Sequence, residues 1–236
     1  MKHVRAYLAL FFTVTFVVSP ALTRPFSGFR ADQLPIPQIA PPVQPAGYAF
    51  AIWGLIYAGL VGAAIYGVWQ RADHPGWDRA RPALIVSLAV GTPWLAVANT
   101  SAIWATILIF VMTGSAIVAL FKAPHDLWTF KVPVGLYAGW LTAASFVSLG
   151  TTAAGYGVLM GQVYWAYAGI IGALTVATFV ITKTMCAAYG IAVIWALVGI
   201  IVANGSDQMS VTLLAALGAM VLAGLTLMVS QRQVIS

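Results

Sequence analysis

The stretch Pro45-Ala-Gly-Tyr-Ala-Phe-Ala-Ile-Trp-Gly-Leu-Ile-Tyr57 sets large aromatic residues inside an apolar run that begins just after a proline. Phe50, Trp53 and Tyr57 stand at i, i+3 and i+7, the spacing of one face of an α-helix. A second stretch, Pro133-Val-Gly-Leu-Tyr-Ala-Gly-Trp-Leu-Thr-Ala-Ala144, repeats the arrangement with Tyr137, Trp140 and Ala144 at the same intervals. Such faces serve as packing surface, as Trp and Tyr anchors at headgroup level, or as the walls of a pocket, and spacing alone leaves all three open.

The composition around these runs fixes the solvent. Of 236 residues, 61% are hydrophobic and only 7% charged, far too few charges to cover a water-soluble domain of this size. Crossing the hydrocarbon takes roughly 20 apolar residues per helix, and the charges fall into short islands separated by segments of that length. The expected architecture is therefore an all-α polytopic membrane protein. Its eight spans are expected at 6–23, 47–69, 82–98, 103–121, 132–154, 163–182, 184–203 and 211–230. The turn at Thr182-Lys183-Thr184 competes with one long bent helix.

Cationic residues support the count. Lys2, Arg5, Arg71, Arg79, Arg81, Lys122, Lys131, Lys183 and Arg232 fall on one side of these spans, and only Arg24 and Arg30 on the other. The positive-inside rule then puts both termini in the cytoplasm. The net charge of +6 is spread over short loops without forming a patch, so it reads as a topology signal and argues against nucleic acid as a partner. The segment from Met1 to Thr23 has features of a secretory signal, but its apolar run of about 18 residues and the absence of an A-x-A site favour a first transmembrane helix.

The one long connection, residues 24–46, carries six prolines from Pro25 to Pro45. Prolines fix φ and remove donors, so this loop is expected to run extended and non-helical over the outer face, as a lid on a cavity or as a tether. The next outer connection, Asn99-Thr-Ser, implies a tight antiparallel helix pair, and it matches the glycosylation pattern, as does Asn204-Gly-Ser. The pairs Gly59/Ala63, Gly135/Gly139 and Gly169/Ala173 favour close helix approach, within the chain or in a homodimer.

No carboxylate, lysine or arginine is expected in mid-span, and Asp32, Asp73, Asp78, Asp126 and Asp207 read as loop residues, which argues against a titrating proton relay. His3, His74 and His125 lack metal-ligand spacing. Cys186, the only cysteine, excludes a disulfide framework. Without a nucleophile beside a base, or a phosphate-cradling glycine loop, no enzyme activity is supported. Hydroxyls gather on the fifth span, where Ser148 lies four residues beyond Ala144 and either bonds back to the helix or gives the aromatic face a polar end.

At the two aromatic segments the chain resembles the tryptophan-rich sensory protein and translocator protein family (TspO/MBR). That family is a five-helix membrane bundle whose second helix has a proline-rich approach and a Trp-x-x-x-Tyr pair, matched here by Pro45, Trp53 and Tyr57. Its fifth helix carries Pro-Tyr-x-x-Trp-x-x-x-Ala, matched by Pro133, Tyr137, Trp140 and Ala144, with Pro133 and Tyr137 no longer adjacent and Ser148 where the family has Asn. The likeness covers residues 1–154, a five-helix core with its proline-rich loop, and residues 155–236 add three helices.

The resemblance implies binding of a planar hydrophobic molecule, a tetrapyrrole such as a porphyrin or a sterol, with Trp53 and Trp140 as stacking platforms, Phe50 and Tyr57 as walls, Tyr137 supplying a hydroxyl and Ala144 leaving room. A sensor or receptor, a transporter of such a ligand, and a non-catalytic subunit of a larger membrane complex are the functions it leaves. Helix direction places Phe50 and Trp53 near the outer face and Tyr137 and Trp140 nearer the cytoplasm. The expected site is then a through-membrane groove with Tyr57, Ala144 and Ser148 in its middle.

Overall fold

The computed structural model describes residues 2–235, with side chains over 3–231; Lys2 and Arg232, two of the topology cations, lie outside the described side chains. Eight α-helices follow in order: α1 Lys2–Val18, α2 Ile52–Trp69, α3 Pro75–Ala98, α4 Ala102–Phe121, α5 Val132–Gly155, α6 Gln162–Thr184, α7 Ala187–Asn204 and α8 Met209–Ile235. Among the described residues eight helices are long and apolar enough to cross a membrane, so the chain is an integral, multi-pass membrane protein.

The spans match the expected ones closely except at α3. That helix starts at Pro75 rather than residue 82, with His74 as its N-cap accepting from the Gly76 N–H at 3.2 Å. Asp78, Arg79 and Arg81 are therefore helical and not loop residues. The reason is that Arg81, only 2% exposed, finds partners within the fold. Its guanidinium donates to the Gly67, Arg71 and Ala72 carbonyls at 2.8–2.9 Å, closing the C-terminal end of α2, where helix carbonyls lack intrahelical donors. Beside it, Arg5 pairs with Asp78 at 2.8 Å, and Arg71 and the Trp77 indole both donate to Asp126.

Asn99, Thr100 and Ser101 join α3 to α4 as a tight antiparallel pair, with Ser101 capping α4. The break after α6 is real: Met185 adopts a left-handed conformation at φ 50°, so α6 and α7 are two helices. Cys186 lies in that break, buried, and not inside a span.

Helix α5 forms the axis of the bundle. It packs on α2, α4, α6 and α7, and its hydroxyls both bond back to the helix and reach its neighbours. Ser145 meets Thr113 at 2.6 Å and Ser148 meets Thr106 at 2.9 Å on α4, while Thr142 meets Tyr189 on α7. Gly135 and Gly139 face α7 so closely that a Cβ on Gly139 would lie 2.3 Å from the Tyr189 carbonyl oxygen. With little hydrophobic drive between helices in lipid, such close approach supplies dispersion and hydrogen bonding instead.

Candidate functional site

The loop between α1 and α2 lies over one end of the bundle, held to the ends of three helices. The Ile36 N–H donates to the Gly155 carbonyl, the Gln33 amide to the Ala98 carbonyl and the Asn204 amide to the Pro42 carbonyl, all within 2.8–2.9 Å. Short 3₁₀ turns at Ala31–Gln33 and Gly47–Ala51 interrupt an otherwise irregular path. Asn204 is buried by this contact, and its amide braces the loop, which removes it as a glycosylation acceptor in this conformation.

Under the loop is a cavity of about 230 Å³. Pro25, Phe26, Phe29, Gln44 and Pro45 cover it, with Arg24 at its edge. Phe50, Trp53, Tyr57, Trp140, Ala144 and Ser148 all line it. Phe50 meets the Trp140 ring edge-on at 5.7 Å, Trp53 meets it at 6.3 Å, and Tyr57 stacks on Trp53 at 5.2 Å with an interplanar angle of 26°. The lining is overwhelmingly apolar and aromatic.

Three placements differ from the expectation. Phe50, Trp53 and Trp140 share one level instead of lying at different depths. Trp140 is the fourteenth residue of a 29-residue apolar span that runs from Leu127 through a π-helical turn into α5, which brings it halfway along that span. The residues expected at the site accordingly meet at a cavity in the lid-side half of the bundle and not along a groove through it, and Ser148 lies towards the lid beside Thr106 in the first turns of α4. Tyr137 does not line the cavity. It is fully buried behind Trp53, its ring 5.6 Å from Phe16 and its hydroxyl 2.9 Å from that of Ser87.

Several lining residues had no signal in the sequence. Phe16 comes from a featureless apolar run in α1, yet it packs edge-on against Trp53, Tyr57 and Tyr137. Trp94 of α3 carries Phe26 of the lid at 5.2 Å and donates its indole N–H to the Ala105 carbonyl. Met112 of α4 and Ala196 of α7 complete the walls. A tryptophan such as Trp94 in a span was the one visible hint.

The polar groups of the cavity are few. Thr151 lines it, and its hydroxyl has no partner among the described residues. Trp77, Trp94, Trp165 and Trp195 each donate their indole N–H to a protein acceptor, whereas the described residues offer none to Trp53 or Trp140. Among the described residues no cluster of His, Cys, Asp or Glu suits a metal ion.

Compared with known proteins, the chain matches a family described as TSPO-like protein over residues 6–228. No curated protein and no solved structure matches it.

Proposed function

Because the chain belongs to the TSPO-like protein family, whose match runs from residue 6 to residue 228, we propose that it binds a planar hydrophobic ligand of tetrapyrrole or sterol type in the cavity beneath the lid. The observation that carries this reading is the convergence of Phe50, Trp53 and Trp140 on one lidded space. Flat apolar molecules bind by stacking on such rings, with a few polar groups fixing orientation. In Trp53 and Trp140 the rings come with unpartnered N–H donors, so a ligand bearing a carbonyl or carboxylate acceptor suits the site better than a pure hydrocarbon.

The cavity, at about 230 Å³, is smaller than the roughly 300–1,000 Å³ of typical ligand sites. A tetrapyrrole therefore enters only with displacement of the loop, which makes lid opening part of binding. The start of α1 and the last turns of α8 lie at the end of the bundle opposite the lid, the end rich in cations, and the positive-inside rule supports a reading with that end in the cytoplasm and the lid outside.

The direct test is titration of the purified protein with protoporphyrin IX and with a sterol, followed by tryptophan fluorescence. Saturable quenching is expected from the parent and its loss from the Trp53→Phe, Trp140→Phe double variant; quenching unchanged in that variant removes the site. Movement of ligand is a separate matter, and proteoliposomes that release it no faster than empty liposomes exclude transport.

A further inference from the structure

The Phe50 and Trp53 wall does not stand on α2 alone, because the segment that leads into it is clamped from the far side by α7. Three hydrogen bonds make the clamp. Asn204 donates its amide to the Pro42 carbonyl at 2.8 Å, the Ala46 N–H donates to the Gly199 carbonyl at 3.0 Å, and Trp195 donates its indole N–H to the Ala49 carbonyl at 2.8 Å. They span the last three turns of α7 and the whole of residues 42–49.

Close packing accompanies these bonds. A Cβ on Gly199 would lie 2.8 Å from the Pro45 Cβ and 2.9 Å from the Ala49 Cβ, so only glycine at 199 lets the segment approach the helix. Tyr48 also meets the Trp195 ring edge-on at 5.7 Å. On the same helix Ala196, 1% exposed, lines the cavity itself. Residue 49 is followed at once by Phe50, and the 3₁₀ turn Gly47–Ala51 runs without interruption into α2. Any shift of the clamp is therefore passed to the rings.

We propose that α7 is a positioning element of the ligand site, in which Trp195, Gly199 and Asn204 fix the height and rotation of Phe50 and Trp53 against Trp140. The C-terminal helices are thus part of the binding unit. The proposal rests on reading the lidded cavity as a ligand site, but the clamp itself is measurable without a ligand.

The experiment uses the full chain with Cys186→Ala, and spin labels on Gly47→Cys in the clamped segment and Tyr156→Cys at the end of α5. Trp195→Phe keeps an aromatic ring, though a smaller one, and removes the donor, Gly199→Val inserts bulk into the contact, and Gly62→Val, on a glycine with nothing within 4 Å, is the control. Trp195→Phe and Gly199→Val are each expected to shift or broaden the label distance and to weaken protoporphyrin IX binding about fivefold, the equivalent of one neutral hydrogen bond. Gly62→Val is expected to do neither. A label distance unchanged in both Trp195→Phe and Gly199→Val overturns the proposal. If the labelled parent binds no protoporphyrin IX, the ligand reading fails on its own, and the distances still decide the clamp.

Discussion

Trp53 and Trp140 meet edge-to-face, with ring centroids 6.3 Å apart and planes at 83°. This geometry is one of the two favoured for aromatic pairs, and both rings line the cavity. The contact makes α2 and α5 two sides of a single site, and it gives each substitution around it a definite expected effect.

Ala144 lines the cavity one turn beyond Trp140. Ala144→Leu puts a larger side chain into open space and not into packed core, so the usual overpacking cost of about 1–3 kcal/mol is largely avoided. Protoporphyrin IX affinity is expected to fall about tenfold or more while the melting temperature stays near that of the parent, the occupied volume competing directly with ligand. Equal affinity in the two proteins would remove Ala144 from the site.

Gln44 donates to the Ser27 carbonyl at 2.7 Å and packs against Gly28, which has φ 127°. These contacts tie the outer stretch of the lid to its anchored part. Gln44→Ala is expected to speed protoporphyrin IX association and dissociation together, with little change in affinity, and to accelerate tryptic cleavage after Arg30, Arg24 being protected by the proline that follows it. Stopped-flow quenching and limited proteolysis measure the two effects independently.

Arg81 satisfies three carbonyls at the end of α2. Arg81→Met keeps the bulk but leaves the Gly67 and Ala72 carbonyls without this donor, the Arg71 carbonyl keeping the His74 N–H, and a loss of about 2–4 kcal/mol is expected. Arg81→Lys should recover only part of it, because a single ammonium cannot match the spread of the guanidinium fork. Thermal unfolding in detergent reads both variants, and an Arg81→Lys protein as stable as the parent would contradict the geometric argument.

Asp126 predicts a pH dependence. Partial burial opposes ionisation of its carboxyl, but the Trp77 indole and the Arg71 guanidinium outweigh that and hold it below its ordinary value of 3.8. A carboxyl depressed in the folded state gives stability that is complete above the unfolded pKa and is lost as pH falls through the lower folded value. Melting temperature should thus be insensitive to this group at neutral pH and fall in the acid range below about 4. Asp126→Asn should flatten that part of the profile.

Much of the molecule is legible in one dimension. Hydropathy locates the spans because each helix must satisfy its own backbone in lipid, and the i, i+3, i+7 spacing of Phe50, Trp53 and Tyr57 identifies a face without reference to any other segment. Six of the seven residues expected at the site line the cavity for that reason. Tyr137 does not, because spacing cannot distinguish a ring that faces a space from one turned towards Ser87. Arg81 misleads in the opposite direction, since a cation ends an apolar window even where the fold supplies three carbonyls to bury it.

The sequence by itself determined the membrane-spanning helical class, the number of spans, the proline-rich connection and the two aromatic faces, all of which follow from local composition and periodicity. Only the tertiary structure decided that Trp140 stands level with Trp53, that Phe16 and Trp94 close the cavity, and that α7 holds the segment before Phe50. Those features depend on the depth at which each helix lies and on how closely Gly139 and Gly199 let neighbours approach. Both are properties of pairs of segments, and no single segment encodes them.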